Sequence, residues 1–321
     1  MSSGAVLSPV ISLNSGLASA YLPTLPLPLA FVLHAARVSL AYRGVRSVLR
    51  VKAEVKEGSN GKKQDSSEGI LYDVAGFLVM AWGGSFLTAY LSNSTPLQLI
   101  SPLPLVTYTL VHIYLGVLLW IIPPISPVWL DTLLPLLDGA TRSNAIIGGI
   151  NLARNHPSNA LLRESLLFQV LLGTLGACGG GQMAGTLSVF NRQKEGWSLT
   201  TPPFLKARSI LEGIDVVAAL AGAVAYSLST NSHADWMKLM NHKYNPFVAS
   251  SRDTAPPLKA FALTHDEGQA LTTLVVAACF AYRAIMVHWL VKSPKSEGKR
   301  LQVEAKKTQA KSPRKSAGKK E

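Results

Sequence analysis

The chain has 321 residues, is 48% apolar and carries a formal charge of +13. The average conceals a partition, since no Asp, Glu, Lys or Arg occurs in residues 1–36 or 74–130. Surface helices of soluble domains need a polar face, so this composition excludes a soluble protein and points to a polytopic membrane protein.

A spanning helix needs about 20 apolar residues. In chain order that criterion predicts seven spans, near 17–36, 74–93, 105–123, 128–152, 166–190, 210–229 and 268–291. The first lacks the preceding basic residues of a cleaved signal peptide. Behind it, residues 37–68 hold eight basic and four acidic side chains. Their polar stretch KAEVKEGSNGKKQDSSE reads as a flexible loop over about 43–72. Residues 292–321 hold eleven basic and three acidic side chains and too few apolar ones for a core. They read as a disordered tail behind a transmembrane domain over 1–291. Basic residues beside spans mark the cytosolic side, which places the N-terminus in the lumen or outside and the C-terminus in the cytosol. The loop 230–267, with Lys238, Lys243, Arg252 and Lys259, follows the rule less well, as long loops do. The tail either approaches anionic lipid, at about 1 kcal/mol per basic residue near the surface, or is solvated and serves topology alone.

Spans two and five each carry a glycine cluster near mid-membrane: FLVMAWGGSFLTAYL has Gly83 and Gly84 followed by Ser85, and GTLGACGGGQMAGTLSV has Gly179, Gly180 and Gly181 followed by Gln182. The two spans cross in opposite directions. That is the pattern of two inverted three-helix repeats plus one extra helix, an architecture of transport proteins with a midplane site on interrupted helices. Glycine there either admits a neighbouring backbone or permits a kink that frees carbonyls. A freed carbonyl must be buried in protein or face water, where it can replace part of a cation's hydration shell. Packing and permeation both remain open.

Span four, WLDTLLPLLDGATRSNAIIGGINLARN, is the charged one. Asp131, Leu134, Asp138, Arg142, Ile146 and Gly149 recur every three or four residues and form one stripe. Pro135 either kinks this helix or sits in its first turn. Asp138 and Arg142 are spaced to pair with each other, which leaves Asp131 without a partner. Ionisable groups in a span face a wet cavity or the bundle interior. Asp131, Asp138 and Arg142 therefore join the glycines, Ser85 and Gln182 as pore or gating candidates, against the alternative of a structural pair. Glu212 and Asp215 read as a solvated start of span six, with Arg208 pairing to Glu212. His34, His112 and His288 sit singly in separate spans. No metal-ligand spacing, GxGxxG or phosphate loop accompanies them, so neither an enzyme nor a metal site is expected. Cys178 and Cys279 lie inside spans and imply no disulfide framework.

These features resemble the trimeric intracellular cation channels, the TRIC family, over roughly residues 76–226 and in overall topology. In DGATRSNAIIGGINLA, Arg142, Ile146 and Gly149 match the Arg, Ile and Gly that follow the family's Lys-Glu-Val on one helix. WGGS and GGGQMAG resemble its glycine-bearing kinked helices, and TPPFLKAR resembles the segment ahead of its sixth span. Asp138 stands where animal members have lysine, and Gly139 replaces the glutamate, which points to a divergent, non-animal branch. The family's lysine and arginine are implicated in holding a phosphoinositide headgroup, and only Arg142 carries over. The resemblance implies a homotrimer in endoplasmic reticulum or nuclear membranes. Each seven-span subunit would have its own water-filled pore, passing K+ and other monovalent cations as counter-ions during Ca2+ release. Membrane lipids are then partners, and nucleic acid and cofactors are not, the phosphoinositide apart. A secondary transporter of a small solute on inverted repeats is the alternative. A seven-span receptor is disfavoured, because no outer cysteine anchors a ligand loop.

Overall fold

The computed structural model describes residues 3–23, 26–57, 69–121, 126–193, 195–236 and 262–290. Helices dominate them, and the single strand-like feature among them is an isolated bridge between Tyr21 and Pro28. Among the described residues, four helices are long and apolar enough to cross a membrane. They are α3 (Ile70–Leu91), α5 (Pro102–Ile121), α9 (Leu166–Thr186) and α12 (His265–Ala284), the last prolonged by a π-helical turn, Ile285–Leu290. These coincide with the second, third, fifth and seventh expected spans. α11 (Ile214–Ser229) is apolar but shorter. The chain is an all-α, multi-pass membrane protein.

Local chemistry explains where the helices begin. The Ser165 hydroxyl accepts from Phe168 N ahead of α9, and a reciprocal Thr264–Glu267 capping box opens α12. Each satisfies amides that a helix start leaves unpaired.

Two expected spans are divided. In place of a first span at 17–36 there are two helices, α1 (Ser3–Ser19) and α2 (Leu29–Glu57). Pro23, Pro26 and Pro28 fall between them and cannot continue a helix. Leu29 N donates to Ala20 O (2.8 Å) across the gap. A scan for uncharged length reads straight through such breaks. α2 also runs on to Glu57, so the loop expected from about residue 43 is helical that far, in keeping with its Ala, Leu, Arg, Lys and Glu content. The rest of that loop's polar stretch, 58–68, and the tail at 292–321 lie outside the described residues. The expected fourth span is α6 (Pro127–Leu133) followed by α7 (Pro135–Arg154). Pro135 occupies the first position of α7, where a missing N–H costs nothing.

The most extensive helix contact is α3 on α9; α2 packs with α5, α7 and α11 pack on α9, and α12 lies across α7 and α11. α1 lies against α12, where the buried Asn14 amide donates to Thr273 Oγ1 (3.1 Å). Two cores result. One gathers Tyr42, Phe77, Trp82 and Tyr108 among α2, α3 and α5. The other gathers Ile146, Ile150, Ala218, Ala223 and Val276 among α7, α11 and α12.

Candidate functional site

The two glycine clusters meet where α3 crosses α9. A Cβ built on Gly179 would stand 2.7 Å from Gly84 Cα, and one on Gly84 would stand 2.7 Å from Leu175 O. At Gly180 it would collide with Met80 O, and at Gly83 it would approach Met183 Cβ to 2.9 Å. Backbone therefore rests on backbone, the close approach that small residues allow in membranes. Both helices run unbroken through the glycines. Of the two uses open to these glycines, the close approach of a neighbouring backbone is the one seen, since neither helix is interrupted there and the opposing backbone fills the space. The other members of the two clusters point elsewhere. Nothing lies within 4 Å of a Cβ on Gly181. The Ser85 hydroxyl donates to Gln98 Oε1 (3.0 Å) on the short helix α4 (Leu97–Ile100), and Gln182 Oε1 accepts from Phe204 N (2.9 Å).

The charged candidates separate into two networks. Arg37 of α2 reaches Asp138 with a two-pronged contact, Nε to Oδ1 and Nη2 to Oδ2, each 2.9 Å. This fork-on-carboxylate geometry is the strong form of a charge-assisted hydrogen bond. Its Nη2 also donates to Asp131 Oδ1 (3.3 Å), and the other oxygen of Asp131 lies 3.1 Å from His288 Nε2 in the π-helical turn. One guanidinium thus bridges the carboxylates of α6 and α7, and His288 fastens the end of α12 to them.

Arg142 does not pair with Asp138 as its spacing suggested. Its Nη1 donates to Ala177 O (3.0 Å), just before the glycine triplet, and its Nη2 to Asp215 (3.0 Å) at the start of α11. The guanidinium also lies 4.6 Å from the Phe280 ring centroid, a cation–π contact. An exposed pair four residues apart on one helix gains only about 0.2–0.5 kcal/mol, so contacts from neighbouring helices prevail. Asp131 likewise has partners after all, and Asp215, in the first turn of α11 and 45% exposed, is also one arm of an ion pair. At the same end of α11, Glu212 accepts from the Arg208 backbone N–H (2.7 Å), not from its guanidinium. Gly139 has a packing reason: a Cβ there would strike Thr273 O of α12.

Sequence reasoning missed Arg37, His288 and Asp215. Arg37 carried a signal, being the first charge after 36 uncharged residues. The histidines of separate spans each find partners within the bundle. His112 stacks on Phe77 (4.1 Å between centroids, 9° between planes) and contacts Ser39 Oγ (2.8 Å) and Asp73 Oδ2 (2.9 Å). His34 Nδ1 lies 2.7 Å from the Tyr108 hydroxyl.

No protein-family model matches the chain, and no curated protein matches it in sequence. Among solved structures, the chain is similar to that of a trimeric intracellular cation channel from C. elegans in the absence of Ca2+. Sequence identity is 16%, the match covers 89% of this chain and 99% of that one, and the TM-score is 0.46.

Proposed function

We propose that the protein is a monovalent cation channel of an intracellular membrane, conducting K+ as a counter-ion during Ca2+ release, with one pore in each subunit of a homotrimer. The observation that carries this reading is a set of partly open charges in two networks, one joining α2 to α6 and α7 and the other joining α7 to α9 and α11. Side-chain exposure is 21% for Arg37, 28% for Asp131, 27% for Arg142 and 45% for Asp215. Charged groups at membrane depth are costly unless they pair or face water. These pair and keep part of their surface open, as charges lining a hydrated passage would. Each arginine is offset by at least one carboxylate, and acidic linings favour cations. The resemblance of residues 76–226 to the TRIC pattern supports the same conclusion. On this reading Gly83, Gly84, Gly179 and Gly180 hold the wall of the passage at backbone contact. Arg142, engaged by Asp215 and Ala177 O, serves the passage rather than a lipid headgroup. The basic end of α2 faces the cytosol.

Recording purified protein in planar bilayers under K+, Na+ and Cl− gradients tests this. Unitary currents reversing at the cation potential are expected, altered by Arg142→Leu and by Gly180→Leu. Unchanged currents in both variants would remove the site assignment. Saturable solute flux with no unitary current would favour a transporter. Tagged protein at the plasma membrane instead of the endoplasmic reticulum would overturn the intracellular assignment.

A further inference from the structure

A further charged region lies outside those two networks. Far along α2 from Leu29, Arg46 and Arg50 face the connection that follows α9. That connection folds back on α2 and α3. The Tyr72 hydroxyl donates to Asn191 O (3.2 Å), Gly69 N donates to Gln193 Oε1 (2.7 Å), and the Phe190 ring lies 5.6 Å from Tyr42. Between them is a cavity of about 170 Å³. Three guanidiniums line it, Arg46, Arg50 and Arg192, with one carboxylate, Glu195, and apolar walls from Leu49 and Phe190. Arg46 is held from behind by Asp73, which also contacts His112 and lies 3.7 Å from Arg43. Arg192 Nε lies 4.0 Å from Glu195, and among the described lining residues three guanidiniums stand against that one carboxylate.

We propose that this crevice binds a phosphate group. Guanidiniums gathered in one recess repel each other, so an anion among them is stabilising. Arginine offers the planar fork that matches phosphate oxygens, and apolar walls strengthen the attraction by excluding water. The crevice lies beside the first turn of α3 and beyond the last turn of α9, the boundary where basic recesses between membrane helices hold lipid headgroups. A soluble phosphate offers the same chemistry. The inference is independent of the channel reading, because none of its residues lies in the two networks that carry it.

The test uses purified full-length protein in detergent, titrated calorimetrically with dioctanoyl phosphatidic acid, dioctanoyl phosphatidylcholine and inorganic phosphate. Arg50→Gln/Arg192→Gln removes two forks. Leu49→Trp fills the recess and leaves the charges. Arg163→Gln/Arg208→Gln is the charge-matched control. The phosphatidic acid should bind, about tenfold or more weaker in the first two variants and unchanged in the control, with phosphatidylcholine much weaker throughout. Inorganic phosphate binding with the same sensitivity would establish the site with a soluble ligand. Absence of binding by both phosphatidic acid and inorganic phosphate to the unmodified protein overturns the proposal. So does binding that the control weakens as much as the crevice variants, or that Leu49→Trp and the Arg50/Arg192 variant leave unchanged.

Discussion

The helices α2, α3 and α5 are joined by rings and charges, whereas α7, α9 and α11 are joined mainly by small and aliphatic side chains, with Arg142 and Asp215 as an ion pair among them. In the first group His112 stacks on Phe77, Tyr42 meets the same ring edge-on, and Asp73 gathers Arg43, Arg46 and His112. In the second group and the adjoining α12, Ile146, Ile150, Ala218, Ala223 and Val276 are wholly buried. There a Cβ on Gly222 would stand 2.7 Å from Ile146 Cδ1. Apolar side chains gain little by leaving lipid for each other. The second group must therefore rely on close fit, and the first adds directional polar contacts that lipid cannot offer. The first should tolerate changes of volume and not of charge, and the second the reverse.

The sharpest way to break this contrast is Asp73→Asn, which leaves two arginines without their carboxylate. A loss of about 3 kcal/mol is expected in denaturant unfolding of the detergent-solubilised protein, since one partly exposed carboxylate serves Arg43, Arg46 and His112. A loss no greater than that of a surface substitution would mean the charges do not hold the first group together. Next comes Ile150→Ala, expected to cost about 2–3 kcal/mol in the same assay through the cavity it leaves. An equal loss for Phe77→Leu in the first group would erase the distinction. Within one glycine triplet, Gly179→Ala should cost about 1–3 kcal/mol by overpacking against Gly84, while Gly181→Ala, which meets open space, should stay within about 0.5 kcal/mol. Melting temperatures of the two variants decide it, and equal values would deny the backbone crossing. Small in stability as well is Asp215→Asn, expected to cost below about 1 kcal/mol because the pair is partly exposed. Single-channel conductance should nonetheless change, and an unaltered current would remove Asp215 from the passage.

Much of the fold is legible along the chain, because a membrane span is a local property. α3, α5, α9 and α12 lie within a few residues of their expected positions, as uncharged runs of the right length dictate. The misread places are those where punctuation outweighs hydropathy. Three prolines cut the expected first span, and Pro135, taking the first-turn place that was one of its two readings, divides the expected fourth span. The glycine clusters are legible along the chain, and so are the two uses that glycine has in a membrane helix. Choosing between them required the opposing backbone.

The candidate site was half visible. Asp131, Asp138 and Arg142 stood out as charges in an apolar setting, yet their partners came from other helices. Arg37 lies 101 residues before Asp138, and Asp215 lies 73 residues after Arg142. The sequence by itself determined that the chain enters a membrane, where most of its helices run and which few residues carry charge there, since each follows from the local cost of placing a side chain in lipid. Only the tertiary structure decided which carboxylate each arginine meets, and that the glycines close a helix crossing instead of opening one. Those outcomes depend on distances between segments remote in sequence, which no local energy specifies.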